Sequence, residues 1–342
     1  MSLGTLGLLL SGCSLHTDNK WWNQTMNFGF PTGITPEGVA IREFWTGTVI
    51  TSLIVGFFVW GLIFWSMAFH RKRKNDDGEF PRQTAYNVPL ELIYTAAPFV
   101  IISVLFYFTV VTQNKVLDLR PQEEVGVKVD VTAYQWNWKF GYGELGSEFA
   151  PAGGDYDGVD EARQASAEAS KVDPSGNNPI HGNSKKDMSY LHYNQIETLG
   201  TTDEVPVLVL PTNTPIEFNL ASADVAHSFW VPEFLFKRDL YAHPEANKSQ
   251  RVFQVEEIFE EGAFVGRCAE MCGTYHAMMN FELRTVDRET FAEYIAFRDA
   301  NPDATNAQAL EHIGEAPYAT STAPFVSDRT GTRDGENFQT PA

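Results

Sequence analysis

The chain has 342 residues, of which 43% are hydrophobic, 20% charged and 13% aromatic, and its formal net charge is -19 at pH 7. So many aromatic residues form a core and exclude a disordered or fibrous chain, and the acidity excludes a nucleic-acid binder, which needs a basic face for phosphate. The charge is uneven, since residues 1–113 carry 7 basic and 7 acidic residues, whereas residues 114–342 carry 18 and 37. We therefore expect two parts in different environments. Three cysteines are too few for a disulfide framework.

Residues 1–13 predict a lipoprotein signal segment. They are apolar up to Leu10 and end in Leu10-Ser11-Gly12-Cys13, a small-residue cleavage motif that resembles a bacterial lipobox. Removal of the segment would leave Cys13 as a lipidated N-terminal residue at the outer face of the membrane. Signals normally open with basic residues and none precedes Lys20, so we expect the natural start to lie upstream of Met1. The alternative is an uncleaved apolar tail with an incidental cysteine.

Two charge-free stretches predict a transmembrane hairpin. Phe44–Phe69 has no charged side chain over 26 positions, and Leu92–Thr112 has none over 21. Because about 20 apolar residues suffice for a helix to cross the hydrocarbon core, we expect spanning helices over residues 44–69 and 89–113.

Basic residues predict the orientation of the hairpin. The connecting loop, residues 70–88, carries five Lys and Arg between Arg71 and Arg82, and positive loops stay in the cytoplasm. Residues 14–43 and everything after residue 113 are then extracytoplasmic. We expect a bacterial cell-membrane protein that crosses the bilayer twice.

Glu91 lies at the cytoplasmic start of the second predicted span. A carboxylate at the membrane edge is a candidate for proton uptake. The alternative is a helix-start carboxylate beside the positive end of the helix dipole, with no further function. The residues alone leave both interpretations open.

Short apolar runs after residue 124, broken by Gly, Pro and Asn, predict an antiparallel β-sandwich or barrel over residues 114–287. Within it, Gly143–Glu204 carries 12 acidic and 4 basic residues, so we expect a long, loop-rich and solvated insertion. Arg288–Arg298 predicts a helix, and a polar tail completes residues 288–342. The predicted strands are Val125–Phe140, Val205–Leu210, Pro215–Ser222, His227–Val231, Arg251–Val255, Ala263–Cys268 and Met279–Val286.

The residues that carry chemistry are concentrated between positions 268 and 279. Two thiols, two imidazoles and a thioether form the soft ligand set that selects copper over magnesium or calcium. Cysteines four positions apart on a tight loop can each bridge two metal ions, and a backbone carbonyl near Glu270 can complete the set. We expect a centre that moves single electrons without an open coordination position. The side-chain ligands are His227, Cys268, Cys272, His276 and Met279.

Three other interpretations compete at this site. A disulfide between the cysteines suits an oxidising compartment but leaves the two histidines and Met279 unexplained. A zinc site uses two Cys and two His but does not call for a methionine. A copper chaperone also uses C-x-x-x-C with a distant histidine, although the second span and Met279 count against it.

The chain resembles subunit II of cytochrome c oxidase over nearly its whole length, and fits the actinobacterial branch best. The motifs that carry the resemblance are the Cys268–Met279 loop, Asp224–Pro232, the aromatic run Tyr134–Trp138, and Pro89-Leu90-Glu91. The resemblance implies a cupredoxin β-sandwich that holds the dinuclear copper centre CuA. The implied ligands are the five side chains named above and the main-chain carbonyl of Glu270.

The resemblance also implies roles for three further side chains. The Glu270 carboxylate would reach a magnesium ion at the boundary with subunit I. Trp136 would receive electrons from a cytochrome c; without the resemblance, a strand aromatic in the sandwich core is the plainer interpretation. Glu91 would lie at the mouth of a K-type proton path in subunit I.

The implied partners are oxidase subunits I and III, with oxygen reduction at a haem-copper site in subunit I coupled to proton pumping. The sequence has no C-x-x-C-H haem motif, so the haem is expected in other polypeptides. In the actinobacterial branch the donor is a dihaem cytochrome c of a cytochrome bc complex, joined to the oxidase in a supercomplex. A copper-free quinol oxidase subunit II is a further alternative, which the complete ligand set disfavours.

Two departures from the commoner pattern lie near the site. Tyr134 stands where many relatives have histidine, and Asn280 follows Met279 where proline is usual. The insertion is also longer than in mitochondrial or proteobacterial relatives. We hypothesise that the insertion and the polar tail contact the cytochrome partner, and a solvated loop is the alternative.

Overall fold

The computed structural model describes residues 20–71, 83–151, 156–171 and 187–324. The chain divides into two compact units, Met1–Thr32 with Val39–Val116, and Gly33–Gly38 with Leu117–Ala342. The predicted lipidation site Cys13, most of the basic loop and the end of the tail lie outside the described residues.

The first unit contains two helices that are long and apolar enough to cross a membrane, with mean hydropathies of 2.1 and 2.0. Their large side chains point outward, as for Phe57 and Phe99, each 73% exposed. Because a helix satisfies its own backbone hydrogen bonds, such a surface is stable where lipid or an apolar partner covers it. The helices of this unit are Lys20–Met26 (α1), Pro36–Phe69 (α2) and Val88–Leu117 (α3).

The second unit is built on β-strands. These are Val127–Tyr134 (β1), Asn137–Leu145 (β2), Glu197–Leu199 (β3), Val207–Pro211 (β4), Ile216–Ser222 (β5), His227–Val231 (β6), Phe236–Leu240 (β7), Val252–Val255 (β8), Gly262–Cys268 (β9) and Asn280–Val286 (β10). They form two five-stranded sheets, with strand orders β3-β2-β1-β5-β8 and β4-β10-β9-β6-β7. Most neighbouring pairs are antiparallel, as expected. The pairs β1–β5 and β4–β10 are parallel, and in each the chain returns by a long excursion rather than by a hairpin turn.

Aromatic side chains from both sheets fill the space between them. Trp138 of the first sheet meets Phe281 of the second with ring centroids 5.2 Å apart, and Phe229 stacks on Phe281 at 4.9 Å. All three side chains are essentially fully buried. Burial of this size dominates the energy of a small sandwich, so the core holds the strand ends at the metal site in place.

The predicted strand Val125–Phe140 is a hairpin in the structure. β1 ends at Tyr134 and β2 begins at Asn137, so Gln135 and Trp136 form the turn. The apolar and aromatic residues continue through the turn, and the sequence pattern therefore does not show where the chain reverses.

The described part of the insertion is ordered against the outer face of the first sheet, unlike the solvated loop expected. It contains Glu161–Ala169 (α4) and strand β3. A second, smaller core is formed by buried residues from the insertion together with sheet residues. Its members are Tyr134, Ala167, Met188, Leu191, Tyr193, Ala221 and Ala223.

A buried ion pair ties this insertion to strand β2, and a partly exposed one inside the insertion shares its carboxylate. Lys139 of β2 lies 2.6 Å from Glu197, and Arg163 of α4 lies 2.5 Å from the other oxygen of the same carboxylate. Burial lowers the pKa of Lys139, and the charge of Glu197 opposes this shift. The insertion was expected to be solvated, but its charged residues Arg163 and Glu197 are paired with each other, and Glu197 also pairs with Lys139.

Two helices follow the last strand, Arg288–Ala300 (α5) and Asn306–His312 (α6). Asp287 caps α5 by accepting hydrogen bonds from the backbone N–H groups of Glu289 and Thr290 at 2.9 and 3.0 Å. The predicted helix Arg288–Arg298 therefore begins at the expected residue and continues for two more.

Candidate metal centre

Strand pairing brings the predicted ligands together. In the β6–β9 pair, Phe229 lies opposite Cys268, so the start of β6 lies beside the end of β9. The loop Cys268–Met279, called the copper loop below, connects β9 to β10 and returns to its origin, where the backbone N–H of Cys268 donates to the carbonyl O of Met279 at 3.1 Å. His227 at the start of β6 faces Cys268 at the beginning of this loop.

The donor atoms form one cluster around two sulfurs. The Sγ atoms of Cys268 and Cys272 are 3.8 Å apart. His227 Nδ1 lies 3.8 Å from Cys268 Sγ, and His276 Nδ1 lies 3.5 Å from Cys272 Sγ. Met279 Sδ is 3.9 Å from Cys272 Sγ, and the carbonyl O of Glu270 is 3.2 Å from Cys268 Sγ.

These distances decide against the disulfide interpretation. Cys268 and Cys272 are free, and their separation is almost twice the S–S bond length of about 2.05 Å. His227, Cys268, Cys272 and Met279 are buried, while His276 is half-buried. The cluster therefore lies inside the end of the sandwich with one edge close to solvent.

Asp224 determines which nitrogen of His227 faces the sulfurs. Its Oδ1 lies 2.8 Å from His227 Nε2, so Nε2–H donates to the carboxylate and the Nδ1 lone pair is left toward Cys268. Burial lowers the pKa of His227, but its hydrogen bonds to Asp224 and Cys268 outweigh this and raise it. Burial raises the pKa of Asp224, and the bonds from His227, Gln135 and Val225 reverse that shift.

The pKa values of the two thiols are shifted in opposite directions. The hydrogen bond with Cys272 is the largest cause that lowers the pKa of Cys268, to about 3, against the opposing effect of burial. The same bond, with burial, raises the pKa of Cys272. Cys268 is therefore the first of the two to lose its proton, and a cation that binds both sulfurs displaces the other.

Sequence reasoning missed two residues that support the site. Gln135 donates through Nε2 to the carbonyl O of Cys272 at 2.8 Å, beside Trp136, whose Nε1–H donates to the same oxygen at 3.1 Å. Asp224 opens the Asp224–Pro232 motif, and a carboxylate three residues before a ligating histidine in a turn is a recognisable signal for its role. Gln135 carries no comparable signal in the sequence.

The two other predicted carboxylates, those of Glu270 and Glu91, have contacts of their own. The Glu270 carboxylate is partly exposed and its Oε2 lies 3.9 Å from Lys237 Nζ. Glu91 belongs to the first unit, in the first turn of α3, where its Oε1 accepts a hydrogen bond from the backbone N–H of Asn87 at 2.8 Å. That contact caps the helix and requires no other function.

The cluster fits copper better than zinc. It offers three sulfur and two imidazole donors as side chains, and a thioether is a ligand for copper rather than zinc. His227, Cys268 and Cys272 have ligand atoms within 4.8 Å of one another.

Comparison with known proteins gives the family of the chain. The family model described as "Cytochrome C oxidase subunit II, periplasmic domain" matches residues 185–286. The chain is 75% identical to cytochrome c oxidase subunit 2 of Corynebacterium efficiens, over 99% of this chain and 95% of that one. It is 52% identical to the same subunit of Mycobacterium tuberculosis, over 96% and 88%. The chain belongs to the cytochrome c oxidase subunit 2 family.

Membership in the subunit 2 family confirms the predicted identity and fold, two apolar helices followed by a cupredoxin-like β domain. The chain is a subunit of a haem-copper oxidase, an oxidoreductase complex with other subunits, and its family binds copper at CuA. It is a membrane protein with an extracytoplasmic domain. Electron transfer in this complex is favoured over the copper chaperone and the copper-free quinol oxidase subunit.

A solved structure of the periplasmic domain of subunit II of cytochrome oxidase from Bradyrhizobium japonicum is also similar. It is 21% identical, covers 53% of this chain and 98% of its own, and has a TM-score of 0.30. So low a score carries no weight, and the assignment rests on the sequence relatives.

Proposed function

We propose that the copper loop and His227 hold the two copper ions of CuA and receive electrons there from a cytochrome c. The observation that carries the proposal is the pair of sulfurs 3.8 Å apart with an imidazole Nδ1 beside each, at 3.8 and 3.5 Å. The ligands are His227, Cys268, Cys272, His276, Met279 and the carbonyl O of Glu270. When bound, the copper pair supplies transfer of one electron at a time.

The β domain contributes rigidity to this function. His227 and Cys268 lie on paired strands, and Met279 is fixed by its backbone contact with Cys268. Ligands held in this way move little when the charge changes, and burial keeps water from the sulfurs. The half-buried His276 leaves one edge of the site near the domain surface.

Trp136 is the proposed residue of electron uptake. It is half-buried, its ring contacts Tyr275 edge-on with centroids 4.9 Å apart, and its Nε1–H donates to the carbonyl of a ligand, Cys272. The indole therefore connects the outside of the domain to a ligand through one hydrogen bond. The donor we propose is the dihaem cytochrome c of a bc complex, and the acceptor is haem in subunit I.

The remaining roles concern partner subunits and the membrane. The exposed Glu270 carboxylate is proposed to contribute to a magnesium site shared with subunit I, and Glu91 to the start of a proton path there. Subunit III completes the complex. Cys13 is the proposed lipid anchor, and exposed acids of the insertion such as Glu161 and Glu168 are proposed contacts for the bc complex.

The first experiment measures copper per chain and the electron paramagnetic resonance spectrum of the purified oxidase. Two coppers assigned to this chain that share one unpaired electron would support the proposal. Met279→Leu should alter the spectrum, whereas Met271→Leu should not, because Met271 is a methionine of the same loop that is 74% exposed. A single labile copper, or equal effects of the two variants, would contradict the assignment.

The second experiment tests the uptake residue. Trp136→Phe removes the hydrogen bond to Cys272 and should slow electron transfer from reduced cytochrome c at least tenfold, about 1.4 kcal/mol. The copper spectrum should persist, because no ligand is changed. Normal transfer in this variant would contradict the role of Trp136 while leaving the copper ligands as proposed.

The third experiment tests the proposed contact with the bc complex. Replacement of both Glu161 and Glu168 by Gln should reduce co-purification with that complex, without disturbing Arg163, which pairs with Glu197 inside the fold. Deletion of the insertion would also remove Arg163. A loss of co-purification could then come from misfolding as well as from a lost contact. Unchanged co-purification and turnover would count against the contact.

A further inference from the structure

The end of the insertion is hydrogen-bonded to the residues on either side of the turn that carries Trp136. Tyr134 ends β1, is 3% exposed, and donates its hydroxyl to the carbonyl O of Gly200 at 2.7 Å. Asn137 Nδ2 donates to the carbonyl O of Thr201 at 2.6 Å. The backbone N–H of Gly200 donates to the carbonyl O of Trp138 at 2.9 Å. The residues on both sides of the turn are thus bonded to the end of the insertion.

The contact at position 200 is close. A Cβ at this position would lie 2.0 Å from Oδ1 of Asn137 and 2.7 Å from Cδ of Pro206. A side chain here would have to displace Asn137 or Pro206, so the backbone of the insertion lies directly against the residue that follows the turn.

Tyr134 also belongs to the second core, described above, that lies between the sheet and the insertion. The same core contains Met188, Leu191 and Tyr193, which the insertion supplies, and burial raises the pKa of the Tyr134 hydroxyl. The phenol is therefore neutral and acts as a hydrogen-bond donor in a fixed place. This residue joins the insertion to the turn both by packing and by a hydrogen bond.

The residues of the turn itself are hydrogen-bonded to the metal site. Gln135 and Trp136 donate through their side chains to the carbonyl O of Cys272, and the backbone N–H of Gln135 donates to Asp224 Oδ2 at 2.7 Å. A Cβ at Gly273 would lie 3.1 Å from Nε1 of Trp136, so the copper loop also approaches the indole closely. The turn is held between the copper loop and the insertion.

We propose that the insertion is a brace that sets the position of Trp136 against Cys272, with Tyr134 as its positioning residue. The significance for electron uptake rests on the proposed role of Trp136. A side chain held on one face alone can shift by a fraction of an ångström, and small displacements of reacting groups cost rate. Contact on the second face removes that freedom, whereas the copper ligands lie on β6 and the copper loop rather than on the insertion.

The test compares Tyr134→Phe with Tyr190→Phe in the purified, intact oxidase. Each variant keeps its ring and loses one hydroxyl that links the insertion to the sheet. Tyr190 donates to the carbonyl O of Ser222 at 2.9 Å and packs against the same small core, so it is a matched control whose hydroxyl bonds to β5 instead of joining β1 to the insertion. Hydrogen exchange of the peptide that covers residues 134–138, the copper spectrum and electron uptake are measured for both.

Tyr134→Phe should speed exchange of this peptide about fivefold, as expected for the loss of one buried hydrogen bond, and Tyr190→Phe by less than about twofold. The copper spectrum should be unchanged in both. Equal exchange in the two variants would overturn the brace. If exchange responds but uptake does not, and Trp136→Phe also has normal uptake, the brace stands and the proposed role of Trp136 fails.

Discussion

The copper loop and the insertion are both excursions from strands of one β domain, but different forces hold them. The copper loop has 12 residues and is organised by its sulfur and imidazole side chains, which converge within 3.9 Å of a cysteine sulfur. The insertion spans about five times that length and has its own small core and buried ion pairs. From this difference we expect the site and its support to fail independently, which four variants can test.

Cys272→Ser should have the largest effect and be confined to the copper loop. Serine cannot replace a bridging thiolate, so we expect complete loss of the shared-electron copper spectrum. Metal analysis and paramagnetic resonance measure this loss. Limited proteolysis of the insertion should match the unaltered protein, and a newly cleaved insertion would show that the two regions are coupled.

Glu197→Gln should have the converse effect. It leaves Lys139 and Arg163 without their shared carboxylate partner, and Lys139 is 3% exposed. Removing one partner of a buried pair costs about 3–5 kcal/mol, so the insertion should open and become sensitive to native-state proteolysis. The copper spectrum should persist. Glu168→Gln, at an exposed position of the same insertion, is the control and should change neither quantity.

Asp224→Asn should weaken the site without abolishing it. Loss of the carboxylate beside His227 Nε2 removes the group that orients the ring, and changes to such supporting residues cost about 10–100-fold in metal affinity. Competition with a copper chelator measures the affinity. A wild-type value would mean that the strand pairing of β6 alone orients His227.

Asp160→Ala should give the smallest effect. Asp160 caps α4, accepting from the backbone N–H of Arg163 at 3.0 Å and pairing with its side chain at 2.6 Å. Loss of such a cap costs about 1 kcal/mol, measured as faster proteolysis of the insertion.

The stability that Asp160 gives to the insertion should also depend on pH. The hydrogen bonds from the backbone and side chain of Arg163 lower its pKa from the ordinary value of 3.8. Its stabilising effect is therefore complete above about pH 4 and disappears as the pH falls through the lowered pKa. The difference between Asp160→Ala and the unaltered protein should shrink over that range, and a constant difference would contradict the assignment.

The sequence predicted much of this architecture because some patterns have a single physical solution. Charge-free stretches of 26 and 21 residues predict apolar helices, and the structure extends them to Pro36–Phe69 and Val88–Leu117. The ligand residues of the copper loop could be predicted because thiol, imidazole and thioether side chains at this spacing are themselves the signal of a copper site. The hairpin at Gln135–Trp136 was missed, because an unbroken aromatic run hides the reversal.

The amino-acid sequence by itself determined the family, the apolar helices, the β domain and the identity of the metal donors, since each depends on local composition or on a short motif. Only the tertiary structure decided that Asp224 orients His227, that Gln135 and Trp136 bond to Cys272, and that the acidic insertion folds against Tyr134 and Lys139. These contacts join residues up to 137 positions apart. Their energy comes from burial and hydrogen bonds that exist once the strands have paired, and no local pattern records them.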